Sequence, residues 1–328
     1  MPSTLCLSLL LPFSSAATVN PAPFRLGRRG LISAGVAAAT FGGCKQPASA
    51  IINGDSVSDA EAAASGVVGL YINLDGCQIC RKGVPATCTG TLIAPDLVLS
   101  ARHCSDVPAS LNGTLEKVVF GSDMLSPKAA SVPIEKFVST ADYGIDTAGN
   151  DLLMIKLKGK APPNWKPVEL PLRLLPTQDE QKEAEKKGSP FYPSGVGQPA
   201  LISYGYGQQS SEGEVDASKY SAGALKRIGL QVRTEVRPWG AGFLTTPSSK
   251  GTGTCAGDSG GGALLGLQDP SGNGVRTLLL GVQAAASKPC VDNQAVFVYP
   301  QAFAEFLTKA SADLGSPIRP GLSWRDYQ

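Results

Sequence analysis

The glycine-rich stretch Gly251-Thr-Gly-Thr-Cys-Ala-Gly-Asp-Ser-Gly-Gly-Gly262 carries the strongest structural information in this chain. It holds Ser259 among glycines, which leave the backbone free to bend sharply. Such a bend can direct the N–H groups of Gly257, Asp258 and Ser259 into one concavity, the geometry that stabilises a developing oxyanion. A serine hydroxyl alone is a poor nucleophile, so this interpretation requires a base and a group that orients the base.

Two further stretches supply candidates for that base and its orienting group. The chain contains a single histidine, His103, so an imidazole base has only one candidate. The residues at 97–99 are all Leu or Val and predict a buried strand that runs up to this histidine. Asp151 stands at the head of another apolar run, where a buried carboxylate can accept the imidazole N–H and select its tautomer.

Three separated motifs resemble those of the chymotrypsin/trypsin family of serine proteases, and they occur in the order His, Asp, Ser. They are Ser100-Ala-Arg-His-Cys104, Asn150-Asp-Leu-Leu-Met-Ile-Lys-Leu157 and Gly257-Asp-Ser-Gly-Gly261. The stretch Ile51-Ile-Asn-Gly54 is similar to the family's mature N-terminus. The resemblance covers about residues 51–314 and implies an all-β fold of two six-stranded antiparallel β-barrels with a C-terminal helix.

The resemblance also implies a mechanism, that of a serine endopeptidase that forms an acyl-enzyme. Ser259 would attack the peptide carbonyl, His103 would transfer the proton and Asp151 would orient His103. The N–H groups of Gly257 and Ser259 would hold the oxyanion. In this family a new N-terminal ammonium pairs with the Asp beside the nucleophile, which here would join Ile51 to Asp258. The implied partners are protein or peptide substrates and protein protease inhibitors, with no cofactor and no metal.

The resemblance places the primary specificity pocket around Gly253, six residues before the nucleophile. A glycine floor with methyl walls offers no partner to a buried Lys or Arg, so we expect cleavage after Ala, Val, Ile or Leu. Phe is the alternative if the pocket is deep. Three alanines stand where the family usually has Ser-Trp-Gly, which changes the subsites but leaves the triad intact. The expected pocket residues are Gly253, Thr254, Ala284, Ala285, Ala286 and Ala295.

The cysteines indicate an oxidising compartment, because six of the eight lie after residue 50. The family resemblance pairs Cys88 with Cys104 and Cys255 with Cys290. Cys77 and Cys80 form a Cys-x-x-Cys, for which a local disulfide is the favoured interpretation and redox chemistry the alternative. A metal site there is disfavoured, because no second cysteine pair or histidine is near in sequence.

The first fifty residues have the composition of a targeting peptide, with no acidic residue. Arg28 and Arg29 precede an apolar run that ends at the small residues Ala48-Ser-Ala50, which is typical of a twin-arginine export signal. Residues 31–43 are too few to span a membrane. We therefore expect a periplasmic or extracellular protein, or a thylakoid-lumen protein if the source bears plastids. Lipidation of Cys44, which would anchor an envelope protein, is the competing interpretation.

The remaining chain is expected to form one protease domain at residues 51–314. It would comprise an N-terminal barrel at about residues 51–171, a C-terminal barrel at about 196–299 and a helix at about 300–314, followed by a tail at 315–328. The mixed-charge run at residues 178–188 predicts a solvated insertion. Strands are predicted at 66–73, 89–94, 97–101, 115–120, 132–138, 152–157, 200–207, 225–235, 277–284 and 295–299.

The overall charge excludes some classes of function. A net charge of +2 is too balanced to indicate nucleic-acid binding, and a mean hydropathy of +0.02 argues against an integral membrane protein. We expect a monomer. The competing class of protein is a binding protein on a degenerate protease fold, but such proteins usually lose the Ser or the His, and this chain keeps both.

Overall fold

The computed structural model describes residues 51–80, 83, 85–145, 150–171, 201–210, 221–233, 242–268 and 275–318. The predicted export signal with Cys44, the mixed-charge insertion and residues 319–328 of the tail lie outside the described residues.

The first barrel closes from six antiparallel strands in the order β2-β3-β4-β7-β6-β5. Strand β4 is buried along its whole length and β3 at every residue except its two ends, and their apolar residues, such as Leu92 and Val98, belong to one buried hydrophobic cluster. The strands are β2 Val67–Asn73, β3 Ala86–Ala94, β4 Leu97–Ser100, β5 Thr114–Phe120, β6 Ala130–Ser139 and β7 Leu153–Leu157.

The second barrel is built from six later strands, and the pairing of its strands β8 and β9 closes the ring. A short additional strand, β1, pairs with β9 on the outside of that ring. Two six-stranded antiparallel barrels were predicted from the sequence, and this prediction is confirmed. The strands are β1 Asp55–Ser56, β8 Leu201–Gly205, β9 Lys226–Arg233, β10 Gly242–Pro247, β11 Gly262–Gln268, β12 Val275–Ala286 and β13 Ala295–Val298.

Three of these strands, β1, β10 and β11, were not predicted. The strand β11 starts at the last glycine of the nucleophile stretch, and glycine has poor strand propensity. Its antiparallel pairing with both β12 and β8 stabilises the extended conformation that the local sequence does not favour.

Three α-helices occur among the described residues: α1 Asp59–Ser65, α2 His103–Ser110 and α3 Ala304–Asp313. The predicted C-terminal helix is present as a 3₁₀ turn, Pro300–Phe303, followed by α3. A second 3₁₀ turn covers Thr140–Tyr143. Helix α2 was not predicted, because its sequence lacks an apolar periodicity and contains Pro108. No helix in the described ranges is long and apolar enough to cross a membrane.

Hydrogen bonds join the two barrels, and some of them reach the nucleophile loop. The backbone N–H of Thr89, in β3 of the first barrel, donates to the carbonyl oxygen of Ser259 at 2.8 Å. Tyr206, immediately after β8, is fully buried, and its hydroxyl donates to the carbonyl of Gly121 at 2.7 Å. Burial strongly raises the pKa of the Tyr206 phenol, so this group remains a neutral donor.

Candidate active site

The structure brings His103 and Asp151 into direct contact. The ring Nδ1 of His103 lies 2.8 Å from Asp151 Oδ2, and the backbone N–H of His103 donates to Asp151 Oδ1 at 2.9 Å. An ionised carboxylate can only accept, so Nδ1 carries the proton and Nε2 keeps its lone pair. The two side chains are 34% and 23% exposed, which leaves the imidazole accessible to a substrate.

Local structure explains why these two residues meet. His103 is the first residue of α2, shortly after β4 ends at Ser100. Asp151 lies two residues before β7, and Ser100 pairs with Leu153 at the start of that strand. The pairing of β4 with β7 therefore carries the histidine and the carboxylate to the same edge of the first barrel.

Ser259 lies on the second barrel, beside the segment that carries His103. Its carbonyl oxygen accepts the Thr89 N–H, and Cys104 Sγ lies 3.7 Å from the same oxygen. Because Cys104 is in a disulfide it has no S–H, so the sulfur makes only a van der Waals contact there. Within the described ranges, the Ser259 hydroxyl makes no hydrogen bond to the imidazole.

The backbone around Gly257 has the features required of an oxyanion hole. Gly257 has φ +94°, a conformation that side-chain-bearing residues rarely adopt, and a Cβ added there would lie 2.6 Å from Thr87 Oγ1. In the part of the chain that the structure describes, the N–H groups of Gly257 and Ser259 donate to no protein acceptor. Two unpaired donors beside the nucleophile can bind an anionic oxygen.

Asp258 is fully buried beneath this loop. Its carboxylate accepts the N–H of Cys255 at 2.7 Å and the N–H of Gly207 at 2.9 Å. Burial raises the pKa of Asp258 to about 7, although both hydrogen bonds act in the opposite direction. The glycines at 205 and 207 are required, because a Cβ at either position would lie within 3 Å of the Asp258 carboxylate.

The two isoleucines of the predicted mature N-terminus are inserted into the second barrel. Ile51 and Ile52 are fully buried in apolar clusters. Ile52 forms an antiparallel bridge with Gly253, with its N–H donating to the Gly253 carbonyl at 2.9 Å. Ile51 has φ +46°, a left-handed conformation that is strained for a β-branched residue. In an uncleaved chain its nitrogen is an uncharged amide.

The predicted pocket residues occupy two neighbouring parts of the second barrel. Gly253 and Thr254 lie before the nucleophile and are buried, while Ala284, Ala285 and Ala286 end β12. Ala295 is 2% exposed and pairs with Ala286. Gly253 has no room for a side chain, because an added Cβ would lie 1.8 Å from the carbonyl oxygen of Cys290.

A profile of the Trypsin family matches residues 72–307. This chain belongs to the trypsin family. The match starts within β2 of the first barrel and ends in α3, so it includes all three residues of the predicted triad.

Curated relatives match a shorter part of the chain. This chain is 32% identical over 93 residues to "Granzyme B(G,H)" of Mus musculus, and the match covers 27% of this chain and 35% of that protein. It is 33% identical over 91 residues to "Granzyme B" of Rattus norvegicus, covering 26% and 34%. The matches thus span about a third of these relatives' length.

Solved structures match over most of the fold. The structure of "Human heparin binding protein" aligns with a TM-score of 0.55 at 18% identity, covering 83% of this chain and all of the other. The structure of "HL collagenase" aligns with a TM-score of 0.53 at 21% identity, covering 80% and 99%. At these identities the likeness concerns the fold alone.

Three disulfides form among the described residues of this trypsin-family chain, linking Cys77 to Cys80, Cys88 to Cys104 and Cys255 to Cys290. These pairs coincide with those expected from the sequence. The second links β3 to α2 beside His103, and the third links the nucleophile loop to the segment after β12. In the described ranges no group of three or more His, Cys, Asp or Glu side chains could hold a metal ion.

Sequence reasoning missed two polar residues near the expected pocket. Asn293 is 4% exposed, and its Nδ2 donates to the carbonyls of Thr254 at 2.7 Å and Ser287 at 3.1 Å. Gln283 precedes the three alanines of β12 and is 1% exposed. Its backbone bonds to Gly260 and Gly261 beside the nucleophile. Neither residue belongs to a recognisable motif, so no local pattern could have identified them.

Proposed function

We propose that this trypsin-family chain is an exported serine endopeptidase with Ser259, His103 and Asp151 as its triad. The observation that carries the proposal is the double contact of the Asp151 carboxylate, at 2.8 Å to the His103 ring and 2.9 Å to its backbone N–H. This contact fixes the tautomer in which Nε2 is free to take a proton.

The proposed reaction proceeds in two halves. Nε2 of His103 takes the proton of Ser259 as Oγ bonds to the peptide carbonyl carbon, and the carbonyl electron pair moves to oxygen. The N–H groups of Gly257 and Ser259 stabilise that oxyanion. Collapse breaks the C–N bond, and the imidazolium gives its proton to the leaving amine. Water then hydrolyses the acyl-enzyme through the same steps, which regenerates Ser259.

The alternative function is that of a binding protein with a weak or absent catalytic activity. One protein of similar fold is named "Human heparin binding protein", so the fold also occurs in a protein that is named for what it binds. The N–H groups of Gly257 and Ser259 meet no protein acceptor among the described residues, and this favours the enzyme, because a binding role gives no reason to keep two donors beside an intact triad.

The proposed substrate preference is for small or medium aliphatic residues before the scissile bond. The support is the absence of a carboxylate at Gly253, where the steric contact with Cys290 leaves no space for a side chain. A Lys or Arg side chain entering there would lose hydration without gaining a charged partner.

The proposed activation step is cleavage before Ile51. It would convert an amide inside the second barrel into an ammonium, and Asp258 is a buried carboxylate whose two acceptor contacts are uncharged N–H groups. An opposite charge would favour its ionised form. Removal of an export signal after Ala50 would perform this cleavage directly. The rival is processing at Cys44, which would leave an inactive precursor. The disulfides are consistent with export.

Labelling with a fluorophosphonate probe tests the proposed function, since the probe reacts with an activated serine. We expect the wild-type protein to be labelled and to hydrolyse peptide anilides with Ala, Val or Leu before the anilide faster than those with Arg or Lys. Ser259→Ala should lose at least about 10³-fold in kcat with an unchanged melting temperature. Equal turnover by both proteins would refute the triad, and a wild-type preference for Arg would refute the substrate assignment alone.

A further inference from the structure

Thr89 contacts the nucleophile loop from the opposite barrel through both its backbone and its side chain. Its side chain is fully buried in β3. The backbone N–H donates to the Ser259 carbonyl at 2.8 Å. The hydroxyl oxygen lies 3.0 Å from the Gly257 carbonyl and 3.1 Å from the N–H of Tyr206.

The direction of each bond to the Thr89 hydroxyl follows from its partners. The Tyr206 N–H can only donate, so Oγ1 accepts it, and the Gly257 carbonyl can only accept, so Oγ1 must give it the one hydroxyl proton. The hydroxyl is therefore an oriented link between the end of β8 and the nucleophile loop. The carbonyl of Thr89 accepts from Ser100 Oγ at 2.7 Å, which ties this position to β4 as well.

These contacts fall on the two residues whose N–H groups would hold the oxyanion. A glycine at φ +94° has low barriers to rotation, so the backbone of Gly257 needs an external contact to keep one orientation. Because the peptide group is planar, holding the Gly257 carbonyl fixes the plane that joins Gly257 to Asp258, and this plane meets the peptide group that carries the Gly257 N–H at the Gly257 Cα. The second contact holds the plane that joins Ser259 to Gly260, which meets the peptide group that carries the Ser259 N–H at the Ser259 Cα.

We propose that Thr89 is the positioning residue of the oxyanion hole. The proposal rests on the proposed function and adds a residue from the first barrel to it. The Thr89 hydroxyl orients Gly257 and does not touch the substrate. Full negative charge on the carbonyl oxygen appears only towards the transition state, so a misaligned hole should lower kcat while substrate binding is preserved.

The test compares Thr89→Val, which has nearly the same shape but no hydroxyl, with Thr89→Ser, which keeps the hydroxyl. The matched control is Thr91→Val, because Thr91 is fully buried in the same strand and its hydroxyl has no partner within the described ranges. We expect Thr89→Val to lower kcat about 10- to 100-fold, with KM changed less than about threefold. Thr89→Ser and Thr91→Val should keep kcat within about threefold of the wild-type value.

The concentration of active sites in each variant is measured as the amount of fluorophosphonate bound when labelling is complete. Rates are divided by this concentration, so that a smaller folded fraction is not mistaken for a lower kcat. Inhibition by a peptide aldehyde gives a second readout, because the serine oxygen adds to the aldehyde carbon and forms a tetrahedral hemiacetal that resembles the transition state. The inhibition constant of the aldehyde should rise in Thr89→Val by the factor that kcat falls. The affinity for a non-reacting product peptide should stay constant.

An unchanged kcat in Thr89→Val, or an equal fall in Thr91→Val, would overturn the proposal and leave the proposed function standing. If Thr89→Val does not fold, Thr89→Ala removes the same hydroxyl from a smaller side chain and is read by the same criteria. A wild-type protein that is not labelled and turns over no faster than Ser259→Ala would instead refute the proposed function itself.

Discussion

Replacing Asp258 by Asn should change how the stability of the uncleaved protein depends on pH. Burial raises the pKa of this carboxyl from 3.8 to about 7, and no cation within the described ranges is paired with it. Between these two values the folded state holds the proton and the unfolded state has released it. Raising the pH therefore destabilises the folded protein, from about pH 4 until the folded-state pKa is passed.

The size of this loss of stability follows from the shift in the pKa of Asp258. About three pH units at 1.36 kcal/mol per unit give a loss of about 4 kcal/mol between pH 4 and pH 8. Asn cannot ionise, so Asp258→Asn should lack this slope. Its amide NH₂ would face one of the two N–H donors, which lowers stability equally at every pH. The slope, and not the absolute stability, is therefore the quantity to compare.

The assay is chemical denaturation between pH 4 and pH 8, in a Ser259→Ala background that prevents self-cleavage. Two forms are measured, the uncleaved chain and the chain that begins at Ile51. Asp106→Asn is the matched control, because that carboxylate is 49% exposed. We expect the uncleaved Asp258 protein to lose stability with pH relative to Asp258→Asn. In the form with a free Ile51 ammonium, the difference should shrink or reverse, because the ammonium favours the carboxylate.

Two results would refute this reasoning. Parallel slopes for the uncleaved protein and its Asn variant would mean that Asp258 is not the group whose titration destabilises the fold. Identical slopes for the uncleaved and cleaved forms would mean that the Ile51 ammonium does not reach Asp258, and the proposed activation pair would be wrong. N-terminal sequencing of active exported protein gives an independent check, since active protein starting at Cys44 would exclude activation at Ile51.

Two substitutions test other parts of the site. Asp151→Asn should lower kcat by about 10⁴-fold. If the Asn oxygen accepts the backbone N–H of His103, the Asn NH₂ faces the ring Nδ1 and favours the imidazole tautomer with the proton on Nε2. Wild-type kcat in this variant would contradict the orienting role. Gly257→Ala should lower both kcat and the melting temperature, because its Cβ would lie 2.6 Å from Thr87 Oγ1 at a φ of +94°; retention of both values would show that the loop is not constrained as described.

Several barrel strands were predicted well because burial on both faces of a strand leaves apolar runs that can be recognised locally, whereas the arrangement into two barrels was expected from the family resemblance. Strands β4 and β7 are examples, each differing from its predicted bounds by one residue. The strand β11 was missed because glycine begins it and its stability comes from partners far away in sequence. The helix α2 was missed because its position depends on the disulfide and the Asp151 contact, not on its own periodicity.

The candidate site was predictable where it depends on residue types and not where it depends on backbone contacts. A single histidine and one Gly-Asp-Ser-Gly motif make His103 and Ser259 the catalytic candidates without a structure. Thr89 could not be found in this way, because its role depends on the carbonyl directions of Gly257 and Ser259. Threonine is also a common strand residue, so its presence in β3 indicates nothing unusual.

The division of the site between two barrels gives these backbone contacts their importance. His103 and Asp151 are held by the first barrel, while Ser259 and the proposed oxyanion donors belong to the second. Catalytic geometry tolerates little displacement, so the proposed reaction requires contacts that fix one barrel against the other at the nucleophile itself. Thr89 supplies two such contacts from the first barrel. Activity should therefore depend on this junction more strongly than the stability of either barrel does.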